Sequence, residues 1–290
     1  MATKTPKVVA VGASAGGVQA LTHFAAGLPP DLPYAVLVVL HMPTGAPSVL
    51  ARILDRSGPL PAVQALDKEP LRPGTIRVAV PNRHLLVDDH KVALSEGPTE
   101  NGHRPAINTL FRSVALNYGQ HAVSVLLSGV LDDGTLGTAA IRSRGGTTIA
   151  QTPTDALFPT MPLNAIMAGV VDHEMAALEV GGLLKQLADR VFEEREMEPD
   201  ARMELENRIA MARRFSPEID AEALGPPCAL WVAIRSLQEK AKLSRRLAEQ
   251  VNPGILSKRY EAMADESEHA MSVLGHRLSE AYARHRDPNG

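Results

Sequence analysis

Two short runs, Val8-Val9-Ala10-Val11 and Ala35-Val36-Leu37-Val38-Val39-Leu40, are apolar at every position. A strand with no polar alternation has both faces covered, so these runs belong to the interior of a layered structure and not to a sheet with one wet side. From Lys7 to about Leu187 such runs alternate with Gly/Pro turns and helix-period segments, the pattern of βαβ units. Strands are expected at Val8–Val11, Ala35–Leu40, Thr75–Ala79, His84–Val87, Lys91–Leu94, Val123–Leu127 and Thr147–Ala150, with Asp88-Asp89-His90 turning a hairpin at one edge. Helices are expected at Val18–Ala26, Pro47–Leu54, Ala106–Tyr118, Gly134–Arg144, Pro162–Ala168 and His173–Arg190. The fold class this predicts is α/β: a doubly wound, mainly parallel sheet with helices on both faces.

After Leu187 the character changes. Asp189 to Arg214 is dense in Glu and Arg, with a break at Pro199, and reads as a solvated helix face. Beyond Gly225-Pro226-Pro227, Leu230, Ile234, Leu237, Ala241 and Leu247 recur at three- and four-residue steps, an apolar stripe on a helix from Ala229 to Gln250. Asn252-Pro253-Gly254 stops it, and a second helical stretch runs from Ile255 to about Arg284. The expected organisation is a domain over 1–188 and a helical C-terminal extension over 189–290. The stripe is a packing seam; folding back on the first domain, pairing with a second copy and meeting a signalling partner all remain open for it.

Composition excludes several functions. A formal net charge of -3 with 3% aromatic residues supplies neither a basic field nor stacking surfaces for nucleic acid. The longest apolar run, Ala35–Leu40, is far short of the ~20 residues that cross a bilayer, and the N-terminus lacks a signal-peptide pattern. A single cysteine, Cys228, rules out an intrachain disulfide framework and cysteine-rich zinc sites, and it suits a reducing, cytoplasmic compartment. No His/carboxylate spacing suggests a metal, and no cofactor is implied; His84, His103, His121 and His173 read as surface or structural residues.

In a doubly wound sheet, ligands bind where strands end at their carboxyl side. The first strand exits into Gly12-Ala13-Ser14-Ala15-Gly16-Gly17, the second into His41-Met42-Pro43, and Val123–Leu127 into Ser128-Gly129-Val130-Leu131-Asp132-Asp133-Gly134. A serine hydroxyl needs a base to take its proton, and the base needs a carboxylate to orient it. Ser14, His41 and one of Asp132 or Asp133 supply one of each. Gly12-x-Ser14-x-Gly16 matches a nucleophile elbow, although the order Ser, His, Asp is not that of α/β-hydrolases. Dinucleotide binding fits less well, because Ser14 stands where the middle glycine of G-x-G-x-x-G belongs and His41 where a ribose-binding acid belongs.

These residues sit in a chain that resembles the CheB-type protein-glutamate methylesterases of bacterial chemotaxis over approximately Lys7 to Leu187. The resemblance is carried by Val11–Gly17, Leu40–Pro43, Pro73–Ala79 with Asn82–Leu85, Arg104-Pro105 with Leu110–Ser113, Leu126–Gly134, and Ala150–Pro153 with Met161–Ile166, in that order. It implies a parallel α/β fold and a Ser-His-Asp triad of Ser14, His41 and Asp133. The triad would hydrolyse glutamate methyl esters, and by the same route deamidate glutamines, on the cytoplasmic helices of methyl-accepting chemoreceptors. It also implies an oxyanion or substrate role for Ala15, Gly16, Val130 and Leu131, with Arg104 and Arg112 as candidate substrate contacts. Four positions depart from the pattern: Ala15 replaces a threonine, Val130-Leu131 replaces Met-Gly, and Asn108 replaces an aspartate. The receiver domain that commonly precedes the catalytic domain is not expected here. The competing class is a regulatory or scaffold protein that keeps the fold and acts through its C-terminal helices.

Overall fold

The computed structural model describes residues 7–42, 48–190, 199–211 and 255–286, together with single positions between 230 and 248. In chain order the elements are β1 (Lys7–Ala13), α1 (Gly17–Ala26), β2 (Tyr34–Leu40), α2 (Leu50–Ser57), β3 (Ala62–Gln64), β4 (Thr75–Val78), β5 (His84–Asp88) and β6 (Lys91–Ser95). They continue with α3 (Ile107–Tyr118), β7 (Ala122–Leu126), α4 (Thr135–Ser143), β8 (Thr147–Gln151), α5 (Thr160–Met167), β9 (His173–Met175), α6 (Val180–Ala188), α7 (Ala201–Ala210) and α8 (Ile255–Arg286).

Seven strands form one parallel sheet in the order β3-β4-β2-β1-β7-β8-β9. The reason lies in the apolar runs. Every residue of β1 and β2 is buried. Side chains alternate between two apolar layers, Val9, Val11 and Ala13 joining Leu21, Phe24, Leu54 and Leu184 on one face. On the other, Val8 and Ala10 join Ile107, Leu110, Phe111, Ile141 and Met161. Each fully buried aliphatic side chain of this kind contributes about 1.5–3 kcal/mol, so a polar residue facing either layer would cost heavily. The chain winds outward from β1 through β2 to β4 and β3, then restarts at β7 on the other side of β1. The carboxyl ends of β1, β2 and β7 therefore flank the topological switch point, where such sheets hold their ligands.

Several expectations need correction. His173–Met175 is a parallel edge strand against β8, and the helix expected from His173 begins only at Val180. Short and polar, this edge strand carries no period-2 apolar signal; β3, Ala62–Gln64, was hidden by its length alone, three residues being too few to show a period. The β5–β6 hairpin does turn at Asp89 and His90, both with positive φ, yet it forms its own two-stranded sheet and not an edge of the large one. The first compact unit extends through Arg214, beyond the compositional break at 188, because α7 belongs to it. Nor is α7 merely a solvated face: Met203, Leu205, Ile209 and Ala210 are buried, and Asp200 caps it by accepting the Met203 N–H at 2.9 Å.

The second unit spans Phe215–Gly290. Of the stripe, Leu230, Ile234, Leu237 and Ala241 are helical, and Leu247 lies outside the described residues. Within this unit Arg245 forms a forked contact with Asp265 and Glu268 of α8. Among the described residues no helix is long and apolar enough to cross a membrane.

One charged side chain ties the start of the chain to the end of the sheet unit. The buried Lys7 ammonium donates to the carbonyls of Leu187, Ala188 and Arg190 at 3.1, 2.6 and 3.2 Å, capping the negative end of α6. Lys7→Met should lower unfolding free energy by about 2 kcal/mol, as expected for a charged hydrogen-bond donor lost over buried carbonyls. Urea denaturation checks this, and an unchanged midpoint would show that the cap adds nothing.

Candidate active site

The register of the sheet brings the strand exits together. Ala13 pairs with Leu40, and the His41 N–H continues the ladder by donating to Ala13 O at 3.1 Å, so His41 and Ser14 leave adjacent strands side by side. The Ser14 N–H donates to Ser128 O at 2.9 Å, binding the β1 exit to the β7 exit. Two glycines permit the close approach. A Cβ on Gly129 would lie 2.9 Å from Ser14 Cβ, and one on Gly16, at φ 70°, would lie 2.7 Å from Ser128 Oγ.

The side chains at these exits form an unbroken line. Ser14 Oγ lies 3.1 Å from His41 Nδ1, and His41 Nε2 lies 2.8 Å from Asp133 Oδ2. Of the two adjacent aspartates in this loop, Asp133 is the one that meets the imidazole. It is fully buried, which by itself raises a carboxyl pKa. The hydrogen bond and charge of His41, with the Ile107 and Asn108 N–H groups, outweigh burial and bring it down to about 2. An ionised carboxylate only accepts, so Nε2 carries the His41 proton and Nδ1 is left with a lone pair toward the serine hydroxyl.

Asp133 is held by much more than His41. Its Oδ2 also accepts from the Ile107 N–H at 2.7 Å, and its Oδ1 accepts from the Asn108 N–H at 3.2 Å, the Gly134 N–H at 3.1 Å and Asn101 Nδ2 at 3.2 Å. The first two donors are the free N–H groups at the start of α3, where the helix dipole favours an anion. Asn108 shows how its departure from the expected aspartate is accommodated. Its Oδ1 accepts from Gly134 N at 2.9 Å and Gly137 N at 2.7 Å, capping the first turn of α4 as a carboxylate would.

Of the residues read as oxyanion contacts, Ala15 and Gly16 follow Ser14 directly, and Val130 and Leu131 follow Gly129, where a Cβ would lie 2.9 Å from Ser14 Cβ. Gly17 and Gly129 are excluded, since their N–H groups already donate to Ser14 O and Phe158 O. Among the described residues no hydrogen bond occupies the N–H of Ala15, Gly16 or Val130. Leu131 stands at φ 79° with its carbonyl accepting from Asn164 Nδ2 at 2.9 Å. That left-handed conformation explains why the resembling family carries glycine there.

Of the two arginines, Arg112 needs correction. Arg112 is not available to a substrate: its side chain is 4% exposed and paired with Glu100 and Glu206. Arg104 braces loops, donating to Asn82 Oδ1 and to the Glu96 and Gly97 carbonyls. His84 is structural as read, buried and hydrogen-bonded to Pro98 O at 2.9 Å.

His103 is the main residue that sequence reading missed. Its ring stacks on His41 with centroids 3.6 Å apart and planes 10° from parallel. Burial first, and the neighbouring His41 second, push its pKa down to about 4. A signal for its placement existed. Asn101-Gly102, both at positive φ, make a tight turn in which Glu100 and His103 exchange N–H···O bonds at 3.1 and 3.0 Å. What the turn faces was not readable. Among the described residues no cluster of His, Cys, Asp or Glu could hold a metal.

Residues 9–184 match the profile of the family described as CheB methylesterase. A protein-glutamate methylesterase/protein-glutamine glutaminase of Anaeromyxobacter dehalogenans is 42% identical over 172 residues, covering 59% of this chain and 50% of that protein. One from Pectobacterium atrosepticum is 38% identical over 171 residues, covering 58% of this chain and 49% of its own length. The chain thus spans about half the length of the curated relatives it matches. The crystal structure of the Thermotoga maritima CheB methylesterase catalytic domain superposes with a TM-score of 0.61 at 31% identity, covering all of that chain and 63% of this one.

The shifted groups predict an acid-sensitive fold. Asp133 sits below its ordinary value of 3.8, so its stabilisation is full above that value and is lost as pH falls toward 2. His103 sits below 6.5, so between 6.5 and about 4 the unfolded chain binds a proton that the folded chain refuses, and stability falls with pH there too. His103→Asn should flatten the change in urea midpoint between pH 7 and pH 5; an unaltered slope would mean that His103 titrates normally.

Proposed function

Because this chain belongs to the CheB methylesterase family, we propose that it hydrolyses methyl esters of protein glutamate side chains with Ser14 as nucleophile, His41 as base and Asp133 as the orienting acid. The observation that carries this reading is the line from Ser14 Oγ through His41 to a buried, ionised Asp133. Ser14 gives its proton to His41 Nδ1 while Oγ attacks the ester carbonyl. Asp133 stabilises the imidazolium so formed without taking its proton. The tetrahedral oxyanion is received by backbone N–H groups of Ala15, Gly16, Val130 and Leu131. Collapse expels methoxide, which takes the proton from His41 and leaves as methanol. Water then gives a proton to His41 and attacks the acyl-enzyme, and the products are a glutamate carboxylate and regenerated Ser14. A glutamine side chain would follow the same path with ammonia leaving.

The lip of the site suits such a substrate. Leu157 is 63% exposed and Phe158 41%, and both lie within 3.0 Å of where a Gly16 Cβ would be. Val130 is exposed across the loop. An apolar rim favours a neutral ester over its charged product and accepts the apolar flank of a helix. Membership of the family supports the finer reading that the substrates are methylated cytoplasmic helices of a chemoreceptor and that the reaction is cytoplasmic, and the apolar rim is compatible with it.

Methanol release from a methylated receptor fragment tests the assignment. Ser14→Ala should reduce the rate by at least about 10³-fold, and Asp133→Asn by about 10³–10⁴-fold through the wrong histidine tautomer, with circular dichroism unchanged in both. Full activity in Ser14→Ala would sink the mechanism. A wild-type chain that binds the fragment but releases no methanol would instead favour a scaffold that has kept the fold.

A further inference from the structure

The Arg112 ion pairs join the site to a helix that lies beyond the family match. That match ends at residue 184, whereas α7 starts at Ala201. Arg112 of α3 donates to Glu100 through Nη1 and Nη2 at 3.2 and 2.7 Å, and through Nη1 to Glu206 of α7 at 3.2 Å. Arg112 and Glu100 are almost fully buried, at 4% and 2% side-chain exposure, and Glu206 is at 10%. Charges this deep persist only where partners fix them, so each member of the group constrains the others.

Glu100 is also the first residue of the Asn101-Gly102 turn. Its backbone pairs with His103, which stacks on His41, and Asn101 bonds Asp133. The far end of α7 grips the preceding strand: Ser95 Oγ donates to Ala210 O, and a Cβ on Gly97 would fall 2.5 Å from that carbonyl. Met203 seals the join by packing into the layer of Ile107, Leu110 and Phe111. The 95–104 segment is thus held at two places by α7 and delivers two side chains to the catalytic line.

We infer that Glu206 is a positioning residue for the active site, acting through Arg112 and Glu100 to set the Asn101–His103 turn against His41 and Asp133. The functional unit then includes α7, an element that lies beyond the residues matched to the family. His103 covers one face of the His41 ring, so the ring is held in the plane that joins Ser14 to Asp133. This inference rests on the proposed triad for its kinetic readout, but its structural readout is independent of it.

The test uses the full chain. Glu206→Ala should lower kcat for ester hydrolysis by about 10- to 100-fold, with KM within about twofold, because a displaced turn misorients the base without touching substrate. Imidazole NMR should show His103, which faces His41 and Asp133, titrating closer to the ordinary 6.5 than in the wild type. Glu206→Asp should recover part of both. Arg202→Ala, which removes only the 79%-exposed partner of Glu206, should leave both unchanged. Wild-type kcat and wild-type His103 titration in Glu206→Ala would overturn the inference, whatever its melting temperature, since a purely structural role lowers stability alone. If Glu206→Ala does not fold, Glu206→Gln, which keeps the volume and removes the charge, decides on the same readouts. If wild-type chain hydrolyses no ester, the functional reading fails, and the His103 titration alone still decides the positioning role.

Discussion

The carboxylate of Asp133 is the point on which the rest of this architecture converges. It accepts hydrogen bonds from the His41 ring, from the first N–H groups of α3, from the Gly134 N–H that opens α4 and from the Asn101 side chain. A buried anion is tolerable only when its charge is answered by donors that cannot move away. Here most of the donors are backbone groups anchored by the apolar layer of Ile107, Leu110 and Phe111. The hydrophobic core therefore does electrostatic work, since packing α3 on the sheet is what aims its N-terminus at the acid. In return the acid fixes the tautomer of His41 and so the direction in which a serine proton can travel.

That arrangement also accounts for the small residues around it. Ser14, Gly16 and Gly129 bring two strand exits to within contact distance, and no larger side chain fits at the two glycines. Leu131 is the exception. It holds φ 79° in the same loop, a conformation that costs a bulky residue on the order of 1–2 kcal/mol. Asn164 ties down its carbonyl, so the loop keeps its course despite the strain. Strain persists only where surrounding contacts over-determine the backbone, and the loop that runs from the Ser14 contact at Ser128 to the buried Asp133 is such a place.

The α7 helix carries the first compact unit past the compositional break. Composition drew a boundary near 188 because Glu and Arg become dense there, and dense charge ordinarily means water. One of those charges points the other way. Glu206 is drawn inward by Arg112, itself buried because its helix carries the acid's donors. Each member of this group reads as a surface residue when taken alone, and only pairing makes them interior.

The doubly wound fold and the serine, histidine and aspartate were legible in the sequence. Uninterrupted apolar runs can satisfy both faces only inside a parallel α/β sheet, and polar residues at their carboxyl ends stand at the switch point whatever the details. What could not be read were the edge strands β3 and β9, three residues each and too short for periodicity, and the distant partners of His103, Arg112 and Glu206. His103 and Arg112 depart from their expected roles for this reason: the histidine taken as structural lies on the His41 ring, and the arginine taken as a substrate contact lies in buried ion pairs. Local sequence determines which elements form and where their polar ends lie, because period and turn chemistry are short-range properties. Only the tertiary structure decided which N–H groups meet Asp133 and which charges become buried, because those depend on how α3, α7 and the 95–104 segment pack together.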